Sequence, residues 1–142
     1  MSEQDNIRVV EEIFEHLNRH DLSQVDSYET TDYQADAPGS PGAQNREAAR
    51  AYVQGFIDAF PDLHFELTHK IAQGDFVVVN WVGSGTHTGP LRTPTGDMLP
   101  ATGKKARVPG STTYQFRGNL ASRSWQYWDM VTLLAQLGLM PG

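Results

Sequence analysis

The sequence contains no cysteine. That absence excludes thiol nucleophiles, disulfides and cysteine-based zinc sites. It fits a cytoplasmic protein, which is the location expected here. No stretch approaches the roughly 20 apolar residues of a membrane helix. The start, Met1-Ser2-Glu3-Gln4-Asp5, is polar and acidic, so no signal peptide and no membrane association are expected. A formal charge of −6 gives no electrostatic footprint for nucleic acid. There is no Gly-x-Ser-x-Gly elbow and no Walker-type phosphate loop. His16 and His20 have the spacing of paired metal ligands, but the Leu-Asn-Arg between them contains no general base. No metal is expected.

What is present is an ordinary globular composition over 142 residues. That length suits one domain, residues 1–142, with a core large enough to do without staples. Ile7, Val10, Ile13, Phe14 and Leu17 recur at three- and four-residue spacing, which predicts an amphipathic helix. Ser2 followed by Asp5 predicts a capping box at its start. Leu22 to Tyr28 could form a second short helix, and residues 35–44 read as a Pro/Gly loop. A further helix is predicted from about Arg46 to Phe60, with Asn45 as N-cap and Pro61 as stop.

The pattern then changes to period two. Leu63, Phe65, Leu67 and Ile71 alternate with polar residues as a half-buried strand, and Gly74-Asp75 is a turn signal. Strands are predicted over Phe76–His87, Ala106–Arg117 and Leu120–Trp128, with residues 88–104 as a long loop. Met130 to Leu137 reads as a closing helix ended by Gly138. Helices first, then an antiparallel meander, then a terminal helix argue an α+β fold in segregated layers.

Three groups of residues carry a resemblance: Ala59-Phe60-Pro61-Asp62-Leu63 with Gly74 to Trp81; Gly85-Thr86-His87-Thr88-Gly89 with Pro100 to Lys104; and Trp125-Gln126-Tyr127-Trp128-Asp129-Met130 with Leu133 to Gly138. In that order the chain resembles SnoaL-like polyketide (ester) cyclases of the nuclear-transport-factor-two-like superfamily. The resemblance implies a cone: a curved antiparallel sheet packed by N-terminal helices, usually a homodimer through the sheet. It implies cofactor-free closure of a ring in a polyketide ester by intramolecular aldol condensation. The expected partner is a small, apolar, oxygenated ligand.

By the motif, Asp129 matches the family's acid/base. One carboxylate can remove a proton beside a carbonyl and return one to the new alkoxide, given a pKa raised by burial. His87 and Gln126 are the other catalytic candidates. Donors for the developing oxyanion could include Asn80 and Tyr114. Trp81, Trp125, Tyr127, Phe56 and Asp36 complete the expected substrate-binding set. Asp129 also directly precedes a helix, so it is equally a candidate N-cap, and the two roles coexist only if one oxygen stays free. The tryptophans read as wall, core or dimer interface.

The chain departs from the family pattern at Ser124 and Gln126, where relatives often carry His and Asp, and in the histidine-free run Gln34 to Pro38. The loop from Gly89 to Pro100 also looks long. Rival readings are an isomerase or epoxide hydrolase on the same cone, or a non-catalytic small-molecule-binding module.

Overall fold

The computed structural model describes residues 2–93 and 96–140. Helix α1 (Glu3–Asn18) opens as its sequence predicts. The Ser2 hydroxyl accepts the Asp5 N–H at 3.0 Å, and the Asp5 carboxylate accepts the Ser2 N–H at 3.2 Å. Two otherwise orphaned N–H groups are thereby satisfied. A 3₁₀ turn (Leu22–Tyr28) leads into strand β1 (Glu29–Asp36). Helix α2 (Arg46–Ala59) starts at Asn45, whose side chain accepts the Ala48 N–H at 2.9 Å.

Strands β2 (His64–Gln73) and β3 (Phe76–Thr86) follow. A two-stranded hairpin, β4 (Leu91–Arg92) with β5 (Met98–Leu99), occupies part of the segment expected to be irregular. Strands β6 (Lys105–Arg117) and β7 (Leu120–Trp128) and helix α3 (Met130–Gln136) complete the chain. Gly138 follows at φ 72°, a left-handed conformation that glycine adopts without steric penalty.

The main sheet has the order β1-β7-β6-β3-β2. Four strands form the expected antiparallel meander, but β1 runs parallel to β7. The sheet is therefore mixed rather than wholly antiparallel. Parallel neighbours need a long crossover, and here the intervening domain supplies it. The sheet curves without closing into a barrel.

Its inner face carries two apolar clusters. Val10, Ile13 and Phe14 of α1 pack on Tyr33, Val77, Val79, Trp81 and Phe116. Ala59 at the end of α2 and Phe60 just after it pack with Leu91, Ala106, Val108, Leu133 and Leu137. Each large side chain so buried contributes about 1.5–3 kcal/mol. No helix among the described residues is long and apolar enough to cross a membrane.

Candidate active site

Two adjoining chambers lie between the concave inner face of the sheet and helix α2. One has about 600 Å³ of space including its open mouth, and is walled by Phe56, Phe60, Phe65, Trp81, Val108 and Trp128. The other, about 660 Å³ on the same measure, reaches under α1 and the 3₁₀ turn and is lined in part by Glu29, Tyr33, Asp36, Tyr114 and Ser124. Tyr52, Val53 and Gln126 belong to both. An apolar chamber beside one with a few polar groups is a common ligand-site construction.

The aromatic wall is held by interlocking contacts. The Trp81 indole N–H donates to Thr112 Oγ1 at 3.0 Å, and its ring meets Phe65 edge-on at 5.2 Å. Gly110 lies directly against it: a Cβ there would sit 2.3 Å from the indole. Phe56 meets Trp128 edge-on at 5.5 Å and Tyr52 at 5.2 Å. The Trp128 indole N–H donates to Gln126 Oε1 at 2.9 Å. That fixes the amide and leaves its NH₂ as a donor where the chambers meet.

In the polar chamber the Tyr33 and Ser124 hydroxyls are 2.5 Å apart and buried. Tyr114 is buried beside them and makes no hydrogen bond through its hydroxyl among the described residues. Burial holds both phenols protonated well above their ordinary pKa, and the neighbouring Glu29 charge pushes the same way. Glu29 lines this chamber with no hydrogen-bond or ion-pair partner among the described residues. Its pKa is pushed up from 4.5 to about 8, first by burial and then by the nearby Asp26 charge, against the opposing pull of Arg46 and Arg50. At neutral pH the carboxyl is mostly protonated. Asp26 pairs with Arg50, and Asp36 pairs with Arg123 at 2.6 Å.

The residues singled out in the sequence separate sharply. Gln126, Trp81, Tyr114, Phe56 and Asp36 line the chambers. Asn80, Trp125 and Tyr127 do not: strand alternation turns them to the outer face. Asn80 is exposed and lies next to His69, Trp125 is covered by the Arg123 guanidinium at 5.2 Å, and Tyr127 is 63% exposed. Asp129 is exposed and lines neither chamber. One of its carboxylate oxygens accepts the Val131 N–H at 3.0 Å and the other accepts the Thr132 hydroxyl at 2.8 Å. Both oxygens cap α3, so neither stays free in this arrangement.

His87, a catalytic candidate from the sequence, is fully buried. Its Nδ1 accepts the Thr102 N–H at 3.2 Å and lies 3.0 Å from the Thr102 hydroxyl, which assigns the neutral ring's proton to Nε2. Nε2 has no partner, and the ring stacks near Phe60 at 5.3 Å. Burial lowers its pKa, offset in part by the polar backbone of nearby Gly89. The ring is an anchor for the loop after β3 and lines neither chamber. Among the described residues no group of three or more His, Asp or Glu side chains is placed to hold a metal ion.

Glu29, Tyr33, Tyr52 and Ser124 were not among the residues the sequence put forward for chemistry. The available signal was faint: Thr30, Thr31 and Tyr33 are strand formers in a stretch otherwise without pattern. Gly83 and Gly85 line the apolar chamber beside Ser84.

Comparisons with known proteins agree with this fold. Among solved structures, AclR, a candidate hydroxylase from Streptomyces galilaeus, superposes with a TM-score of 0.86 at 22% identity, covering 99% of this chain and 89% of that one. IdmH, a candidate polyketide cyclase from Streptomyces antibioticus, gives 0.80 at 25% identity over 94% and 98% of the two chains. A candidate SnoaL-like polyketide cyclase from Jannaschia Sp. CCS1 gives 0.85 at 20% identity over 98% and 95%. No curated protein matches the chain significantly. The family model for SnoaL-like polyketide cyclase matches residues 7–137, nearly the whole length, and the chain belongs to that family.

Proposed function

We propose that this chain is a cofactor-free acid–base enzyme that closes a ring, by aldol-type carbon–carbon bond formation, within one apolar oxygenated small molecule. The observation that carries the reading is the Glu29 carboxyl, which has no partner among the described residues and lines a chamber shared with Tyr33 and Tyr114 and adjoining an aromatic one. The aromatic chamber takes the apolar body of the substrate. The polar chamber takes its reacting carbonyl groups.

In this reading the ionised fraction of Glu29 removes a proton from the carbon beside a carbonyl. The enolate oxygen receives hydrogen bonds from the Tyr114 hydroxyl and the Gln126 NH₂. The enolate carbon attacks a second carbonyl of the same molecule, and Glu29 returns its proton to the alkoxide so formed. A base with a pKa of about 8 is near the optimum for proton transfer at neutral pH. Donors fixed in advance where negative charge develops supply transition-state stabilisation without reorganisation. Two copies of the chain assemble through the outer sheet face, where Ile71, Phe76 and Tyr127 are exposed.

A second reading, double-bond isomerisation, uses the same groups, because a tyrosine beside a neutral carboxyl is a known oxyanion site. The Arg–Asp pair that hydrolysis of an epoxide would need is present as Arg50 and Asp26, but both side chains are about one-third exposed, at 39% and 30%.

The test is turnover of a poly-β-ketone built on a fused aromatic ring system, supplied both as the free acid and as its methyl ester, with products identified by mass and NMR. Glu29→Gln is expected to lower kcat at least 10²-fold. Wild-type kcat/KM is expected to rise with pH through an apparent pKa of about 8. Unchanged turnover in Glu29→Gln would remove the basis of the proposal, and a shifted double bond without ring closure would select the isomerase.

A further inference from the structure

We infer that Arg46 makes the polar chamber a receptor for a carboxylate, so that the preferred ligand is an apolar multi-ring molecule bearing a free carboxylate rather than an ester or amide. The inference rests on the small-molecule reading above and sharpens its substrate class.

The charges around the chamber almost cancel. Asp26 is matched by Arg50 and Asp36 by Arg123. Glu29 is mostly neutral near pH 7. Arg46, which also lines the chamber, is left over. Among the described residues it has no ion pair, and its one hydrogen bond is a long one, 3.3 Å, donated from Nη1 to the Asp26 backbone carbonyl. The guanidinium therefore keeps most of its five donors for something else.

Its position argues the same way. Arg46 is the first residue of α2, where the helix dipole disfavours a cation, and a residue chosen for helix stability there would be neutral or acidic. Glu47, one position on, is exposed and already supplies the usual first-turn acid. Nearby, the Arg50 Nε is buried with no hydrogen-bond partner. A carboxylate at Arg46 would find the planar, two-pronged donor geometry that guanidinium offers best. With its acidic end there, the apolar rings of such a ligand would extend past Tyr52 and Gln126 into the aromatic chamber, since both residues line the two spaces.

The probes are anthracene-2-carboxylate and anthracene-2-carboxamide, titrated at pH 7 into the full-length protein and followed by calorimetry and by quenching of tryptophan fluorescence, since Trp81 and Trp128 line the aromatic chamber. The wild type is expected to bind the carboxylate at least tenfold more tightly than the amide, with the preference shrinking as salt rises. Arg46→Gln should abolish the preference while leaving amide affinity within about twofold, and Arg46→Lys should retain part of it. Equal binding of the two probes by the wild type overturns the inference without help from any variant and leaves the small-molecule reading intact. So does an undiminished preference in a folded Arg46→Gln. Failure of both probes to bind at millimolar concentration sinks the small-molecule reading and the inference with it.

Discussion

Replacing Glu29 by glutamine should make the protein more stable, and increasingly so as pH rises. The folded carboxyl has a pKa of about 8 against an ordinary value of 4.5. Where the folded pKa is the higher one, the group's full contribution is present below pH 4.5 and is lost as pH climbs to about 8. In that window the unfolded chain ionises and the folded one resists. Each pH unit of this gap is worth about 1.4 kcal/mol, and the whole gap has a ceiling of ~5 kcal/mol. Water in the chamber screens part of it, so about 2–4 kcal/mol is the working expectation. The Glu29→Gln variant has no ionisation there, and any packing cost of the amide is independent of pH. The stability of variant minus wild type should therefore grow by up to about 1.4 kcal/mol per unit between pH 5 and 8 and level off above. Urea titrations followed by tryptophan fluorescence at pH 5, 6, 7, 8 and 9 read this directly. A difference constant within ~0.5 kcal/mol across the series would refute the argument, because it would mean that Glu29 ionises as freely in the fold as in water.

Three further perturbations test other parts of the structure. Asp129→Ala should cost about 1 kcal/mol in thermal unfolding, the worth of a helix N-cap, and leave turnover of a cyclisable substrate unchanged; a 10²-fold loss of kcat would restore Asp129 to the chemistry. His87 is buried neutral with a lowered pKa, so its contribution is complete above its ordinary value of 6.5 and is lost as pH falls toward the folded pKa; the decline in stability below pH 6.5 should be shallower in His87→Gln, and equal slopes would contradict this. Gly110→Ala should cost about 1–3 kcal/mol and alter the near-ultraviolet dichroism of Trp81, since the added methyl has no room beside the indole; an unchanged spectrum would show that Trp81 is not pinned there.

The helices and the meander were legible because their physics is periodic. Ile7 to Leu17 mark one buried stripe, and Phe65 and Leu67 alternate as a half-covered strand must, but a register shift between Leu67 and His69 breaks the alternation and turns Ile71, expected on the same face, outward to 64% exposure. Trp125 to Asp129 identified the family. The same period, applied strictly, separates residues that the sequence reading had grouped: Asn80 and Trp81 are neighbours on one strand and cannot both face the chambers, and Trp125 and Tyr127 flank the inward Gln126. Asp129 lies three residues from Gln126, an odd separation, and sits where the strand has already become a helix cap. Glu29 was hidden for a different reason. Its strand holds few apolar residues, and an irregular register between Glu29 and Gln34 breaks the alternation that would have shown which side faces inward. Its pKa is raised first by burial in a chamber assembled from α1, α2 and distant strands, which no local pattern encodes, and then by Asp26 of the 3₁₀ turn.

The parallel pairing of β1 with β7 makes the polar chamber a product of the whole chain. Tyr33 and Ser124, whose hydroxyls meet at its wall, are separated by 91 residues, and Asp36 and Arg123 by 87. Closing a loop of that length from an open chain costs about 4 kcal/mol in entropy on the logarithmic estimate, before either contact returns anything. The helices and the β2–β3 hairpin need only local closure. The polar chamber is therefore among the most non-local structures in the molecule, completed after its scaffold and reporting on it: a ligand that needs Glu29, Tyr33 and Ser124 together binds only chains whose two ends have met.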